Sequence, residues 1–436
     1  MSGAEEALST EALREETIFT WGAPPLKFGA GAADEIGFEV AQHGLRRVLV
    51  LSDPRVVATG VPQRITETLG RYEITAELFD DVHVEPTDAS IRAAAAWARE
   101  QGPWDGFVAV GGGSVLDTAK AVNLLTTYPG ELTDYFNPPV GLGKAPPGPL
   151  MPLIAVPTTA GTGSESTAMC VLDVLSLRVK TGISHWRLRP TLAVVDPLLT
   201  MTLPPQVTAS AGMDILLHAL ESYTARNFRD FPRKSPEERV TYCGANPVSD
   251  VWTERAMALL ARSFREAVHR GGENLAARTD VMLAATFAGM GFGSSGVHIP
   301  HANGYPIAGR VKSYTPSGYP QEEPMVPHGQ SVSLTAPAAF RFTFSSQPER
   351  HLRAAELVAP QLEQSSEPSE RLPRAVIELM RDIDIPSGIG EVGYGQEDIP
   401  DLVGGTMQQQ RLLATSPREV TEEDVAQIFA ESIENW

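Results

Sequence analysis

Short apolar runs alternate with helical stretches through the first half of the chain, and this alternation stops near residue 199. Arg47–Asp53, Ile74–Phe79, Gly106–Val110, Leu153–Val156 and Leu192–Val195 read as strands. Apart from Ile74–Phe79, which Thr75 and Glu77 interrupt, their apolar residues are consecutive rather than alternate, the pattern of a strand covered on both faces. Ala89–Gln101 and the stretch opening near Val115 read as helices between them. Such alternation predicts a mostly parallel sheet with helices on both sides. Beyond Asp196-Pro197 the strand-like runs end, and helical spacing takes over in Val251–Val268, Leu275–Met290 and Glu349–Leu357. The expected organisation is an α/β domain over residues 1–198 and an all-helical domain over 199–436. Residues 137–152 read as a Pro- and Gly-rich loop. Two proline-containing stretches, 226–247 and 310–327, interrupt the helical half.

Charge narrows the function. The 436 residues hold 35 Lys plus Arg against 54 Asp plus Glu, a net charge of −19. So anionic a surface argues against nucleic acid and membrane partners and leaves small molecules. Cys170 and Cys243 are too few for a disulfide scaffold or a Cys-rich metal site. No run is apolar for long enough to cross a bilayer. The opening residues 1–16 are acidic, unlike a secretory signal or a mitochondrial presequence, and the expected location is cytoplasmic.

Two loops carry candidate chemistry. Val110-Gly111-Gly112-Gly113-Ser114 joins a strand to a helix, where glycine admits close approach and free N–H groups favour an anion such as a pyrophosphate. Pro157-Thr158-Thr159-Ala160-Gly161-Thr162-Gly163-Ser164 also follows a strand and can line the same crevice. Asp53, ending the first strand, is placed either to accept from a ribose diol, favouring NAD over NADP, or merely to start a turn. In the second half, Asp214 and His218 are four apart on a helix and share a face. Three more of the nine histidines, His298, His301 and His328, follow. One aspartate with three histidines suits Fe(II) or Zn(II). Spacing alone leaves His298 and His301 open as rivals for one position. Tyr305 falls four beyond His301.

Taken together, GGGSVLDTAK (Gly111–Lys120), PTTAGTGSE (Pro157–Glu165), the Asp214/His218 segment and PHG (Pro327–Gly329) resemble the iron-containing, group III alcohol dehydrogenase family. HVEPTD (His83–Asp88), NPVSDVW (Asn246–Trp252), FAGMGFGSSGVHIPHANGYPIAG (Phe287–Gly309) and MVPHGQSVSLTAPAAF (Met325–Phe340) resemble its hydroxyacid-oxoacid transhydrogenase branch. The resemblance implies a Rossmann-like NAD domain followed by a helical metal domain, in the dehydroquinate synthase-like architecture, assembled as a homodimer. It implies metal ligation by Asp214, His218, His301 and His328, with Tyr305 nearby as a candidate proton-relay group. It places Gly112, Gly113 and Ser114 at the pyrophosphate, Asp53 at the adenosine ribose, Thr158 and Thr159 toward the adenine, and Lys180 and Asp117 in the cofactor set. The implied reaction is hydride transfer from 4-hydroxybutyrate to 2-oxoglutarate through bound NAD; the alternative is an ordinary dehydrogenase with exchangeable cofactor. Asn303 stands where the branch has Met and is expected near the substrate. Arg310 and Lys312 are candidate carboxylate partners.

Overall fold

The computed structural model describes residues 15–177, 179–319, 321, 324–361 and 367–436. Residues 1–14 of the acidic opening stretch, and Pro320, lie outside them. Six strands form one parallel sheet: β1 (Leu26–Phe28), β2 (Arg47–Leu51), β3 (Thr75–Phe79), β4 (Gly106–Gly111), β5 (Leu153–Pro157) and β8 (Leu192–Val195). A separate antiparallel hairpin pairs β6 (Met169–Val174) with β7 (Val179–Ser184). The order across the sheet is β1-β8-β5-β4-β2-β3. Along β2 and β4, Leu49, Leu51, Phe107 and Ala109 enter one apolar cluster, and Val48, Val50, Val108 and Val110 enter the other. Both faces are therefore buried, which explains the uninterrupted apolar runs.

Helices α1 (Ile36–Gln42), α2 (Pro54–Ala58), α3 (Val61–Gly70), α4 (Asp88–Gln101) and α5 (Gly113–Thr127) belong to this half. Thr87 starts α4 with a reciprocal capping box to Ser90. After β8 the described chain is helical: α6 (Pro205–Thr224), α7 (Pro247–Arg270), α8 (Leu275–Ser295), α9 (Ile299–Gly309), α10 (His328–Ser333), α11 (Ala336–Thr343), α12 (Pro348–Val358), α13 (Arg371–Asp382), α14 (Ile399–Met407), α15 (Gln410–Leu413) and α16 (Glu422–Glu431). Helices α6, α7 and α8 form its centre. A Cβ at Gly212 would collide with the Phe264 ring, so glycine there lets α6 and α7 approach closely two residues before Asp214. Phe264 is fully buried, and such burial contributes about 1.5–3 kcal/mol. Among the described residues, no helix is long and apolar enough to cross a membrane.

The sheet topology creates the crevice. Both β3 and β4 lie beside β2, so the strand order reverses there, the usual position of a ligand crevice at the carboxyl ends. Asp53 follows β2, and Gly112 follows β4. Gly111 pairs in register with Pro157, so the two glycine-containing loops leave the sheet side by side.

Candidate metal centre and nucleotide crevice

Asp214 and His218 project from one face of α6, His301 from the first turn of α9, and His328 opens α10. The Nε2 atoms of His218, His301 and His328 lie 3.7, 3.5 and 3.7 Å from Asp214 Oδ1. These separations are too long for hydrogen bonds. They are near the edge of about 3.4 Å expected for tetrahedral ligands about 2.0–2.1 Å from a shared ion. Asp214 Oδ1 and His301 Nε2 are buried with no hydrogen-bond partner among the described residues. A buried carboxylate left unsatisfied is costly, and one divalent cation satisfies the group together. The donor set therefore fits a metal. Asp214, His218 and His301 are enclosed, whereas His328 is 27% exposed and forms the open side.

Local packing holds the set in place. His218 stacks on Phe292 with ring centroids 3.9 Å apart. Gly329 brings α10 against α6: a Cβ there would strike the Ser210 carbonyl and lie 3.2 Å from Asp214 Cβ. Burial pushes the His218 imidazole down to about 3 and lowers His328 as well, which favours the neutral, ligating form. Burial also opposes charge on His301, but Glu221 and Asp214 on either side outweigh it and raise this imidazole to about 9.

Glu221 is the residue the sequence reading missed. Its Oε1 sits 2.5 Å from His301 Nδ1, and its Oε2 accepts from the backbone N–H groups of His298 at 2.6 Å and His301 at 3.3 Å. This fully buried carboxylate thus binds the start of α9 and orients His301, a role common behind metal-ligating imidazoles. Its signal was its place three residues after His218, on the face of the helix that carries Asp214 and His218. His298 points elsewhere: its Nε2 is 3.1 Å from Thr224 Oγ1, and its ring packs edge-on against Phe340.

Tyr305 lies one turn after His301, its ring centroid 5.9 Å from that of His328. Burial pushes its phenol far above the ordinary range, so it keeps its proton at neutral pH. Asn303 does not reach this site. Two residues after His301, it faces the other side of α9, where it donates to Thr335 and accepts from Thr406. The expectation of an amide beside the substrate is corrected accordingly. Arg310 and Lys312, expected as carboxylate partners, are each engaged by a carboxylate of the protein: Arg310 Nε pairs with Asp401 and Lys312 Nζ with Asp398, both at 2.6 Å.

In the crevice, Gly112 and Gly113 begin α5 with no side-chain cap. A Cβ on Gly113 would lie 2.5 Å from the Thr162 methyl, and one on Gly112 would lie 3.2 Å from Thr159 Oγ1. The two loops are therefore packed together through their glycines. The second loop also reaches the metal helix: a Cβ on Gly161 would lie 3.1 Å from Ala211 Cβ, three residues before Asp214. Other crevice residues already have protein partners. Asp53 Oδ1 caps α2 through Arg55 and Val56 N–H groups, at 2.9 and 3.1 Å. Thr158 donates its backbone N–H to Gly111. Ser114 Oγ accepts from the Glu85 N–H at 3.1 Å. Asp117 accepts from Ser164 Oγ at 2.5 Å and Val171 N–H at 2.8 Å, tying α5 to the second loop and β6. Lys180 Nζ pairs with Glu85 at 2.7 Å and Asp173 at 2.9 Å; these charges outweigh burial and raise its ammonium.

Residues 24–197 match the family model described as iron-containing alcohol dehydrogenase, and residues 237–433 match the C-terminal model of the Fe-containing alcohol dehydrogenase family. The chain belongs to the iron-containing alcohol dehydrogenase family. It is 42% identical over 425 residues to a mitochondrial hydroxyacid-oxoacid transhydrogenase of Xenopus tropicalis, covering 96% of this chain and 91% of that protein. A 1,3-propanediol oxidoreductase crystal structure superposes with a TM-score of 0.82 at 30% identity, over 95% of this chain and all of that one. A sulfoacetaldehyde reductase from Bifidobacterium kashiwanohense, in complex with NAD+, gives 0.78 at 26% identity, over 96% of this chain and 99% of that one. The cytoplasmic expectation is corrected by these relatives: transhydrogenases from Xenopus, Bos taurus and Dictyostelium discoideum are named mitochondrial.

Proposed function

We propose that this enzyme is a hydroxyacid-oxoacid transhydrogenase. It converts 4-hydroxybutyrate and 2-oxoglutarate to succinic semialdehyde and 2-hydroxyglutarate. The 42% identity to a transhydrogenase over nearly the whole chain carries this reading. When bound, a divalent metal supplies Lewis-acid polarisation and NAD supplies a hydride acceptor. Asp214, His218, His301 and His328 hold the metal, and Fe(II) is the first choice from the family name. Glu221 fixes His301. Gly112, Gly113 and Ser114 present the start of α5 to the pyrophosphate, Asp53 sits beside the ribose, and Thr158, Thr159 and Lys180 line the remaining crevice. Asp117 positions these loops from behind. Tyr305, beside His328, lines the substrate side and is the candidate proton-relay group. The proposal includes a homodimer and a division of the chain into residues 1–198 and 199–436.

The test uses iron-loaded enzyme stripped of free nucleotide and given both acids without added NAD. Matched formation of succinic semialdehyde and 2-hydroxyglutarate is expected. Activity that requires added NAD+, with NADH accumulating, identifies an ordinary dehydrogenase instead.

A further inference from the structure

A cavity opens between the β6–β7 hairpin, the Asn137–Val140 loop and the segment joining α14 to α15, with Tyr305 in its wall. Because the Tyr305 ring lies beside that of His328, the cavity adjoins the metal centre. Two cationic residues line it, Lys180 and Arg411. Lys180 is neutralised by Glu85 and Asp173. Arg411 is different. Its guanidinium lies over the Tyr242 ring at 4.4 Å, and its NH1 reaches Ser184 Oγ at 3.2 Å and Met169 Sδ at 3.6 Å. None of these partners is anionic, and among the described residues no carboxylate forms an ion pair with it. Arg411 is half-buried, so its charge is met in the cavity wall only by neutral groups. Stacking fixes the plane of the guanidinium while leaving donors of its fork for a planar anion.

We propose that Arg411 binds the substrate carboxylate remote from the reacting carbon and so makes the enzyme select acids over neutral alcohols. This inference rests on the transhydrogenase reading, which requires both substrates to carry carboxylates. Arg411 is a specificity-determining residue in this account, not a group that moves a proton or hydride.

The test compares wild type, Arg411→Ala and Arg411→Lys as iron-loaded enzymes. Kinetics are measured with 4-hydroxybutyrate and with 1,4-butanediol, which has the same chain length and no carboxylate. Glutarate binding is measured separately by thermal shift. For Arg411→Ala, KM for the acid is expected to rise about 10- to 100-fold, the usual worth of a charged hydrogen bond, with the diol KM unchanged. Arg411→Lys should recover part of the loss, and the stabilisation of wild type by glutarate should vanish in Arg411→Ala. Equal losses on acid and diol, or an unchanged acid KM, overturn the proposal. Loss of bound NAD with an unchanged acid KM also overturns it and gives Arg411 to the nucleotide phosphates. If wild type turns over no hydroxyacid, the transhydrogenase reading falls, and glutarate binding decides: binding lost in Arg411→Ala upholds the carboxylate site, and no binding to wild type overturns it. Should Arg411→Ala fail to fold, Arg411→Gln carries the same comparison.

Discussion

The metal centre and the nucleotide crevice use polar groups in opposite ways. Around Asp214, buried acceptor and imidazole atoms converge at 3.5–3.7 Å without bonding one another, so the protein leaves them for a ligand. Around Gly112, the named side chains are largely bonded to other parts of the protein: Asp117 to Ser164 and Val171, Lys180 to Glu85 and Asp173, Ser114 to Glu85. On the proposed reading, the first site recognises its ligand by side chains whose unsatisfied atoms a cation engages. On the same reading, the second recognises by shape, through glycines and the N–H groups of a helix start. Substitutions at single side chains should therefore be severe in the first region and milder in the second, where loss of space matters more than loss of a donor.

The largest expected effect is at the metal centre. Asp214→Ala should lower kcat by about 1,000-fold or more, since metal polarisation supplies several kcal/mol of transition-state stabilisation. A residual rate within tenfold of wild type would break the contrast. Glu221→Gln should weaken metal affinity or activity by about 10- to 100-fold, as expected for the partner that orients a ligating imidazole. Titration of metal-free protein measures it, and unchanged affinity would leave Glu221 only a cap on α9. In the crevice, Gly113→Ala forces a Cβ into Thr162 and should cost about 1–3 kcal/mol of stability together with NAD affinity. Ser114→Ala should change NAD affinity far less; equal effects would refute recognition by shape. Asn303→Met should lower stability by about 1–3 kcal/mol, because Thr335 and Thr406 lose their shared partner, while KM stays the same. Arg310→Ala is the smallest: its pair with the exposed Asp401 is worth about 0–1 kcal/mol, and KM for both acids should not move.

The two regions also differ in how far the sequence revealed them. Five strands of the parallel sheet were visible: four are buried on both faces and leave continuous apolar runs, and the edge strand β3 leaves a shorter pattern broken by Thr75 and Glu77. Strand β1 was not, since three residues, Leu26–Phe28, carry too little pattern. The β6–β7 hairpin was hidden because Asp173 and Lys180 interrupt its apolar residues, yet these two are a cross-strand pair. Asp214 and His218 were legible because helical spacing places both on one face. The choice of His301 over His298 was not legible from spacing. It depends on Glu221 holding the start of α9 and on Thr224 engaging His298. Asn303 was misjudged because neighbours in sequence occupy opposite sides of a helix. Arg411 had no motif at all: only the fold brings α15 beside β7 and Tyr305.

The most direct measurement is metal stoichiometry by mass spectrometry across five variants purified from iron-supplemented culture. Asp214→Ala, His218→Ala, His301→Ala and His328→Ala should each lose most of the ion that wild type holds. His298→Asn, which keeps a polar partner for Thr224, should retain it. Retention of the ion in both His218→Ala and His301→Ala, or its loss in His298→Asn at unchanged folding, would contradict the account.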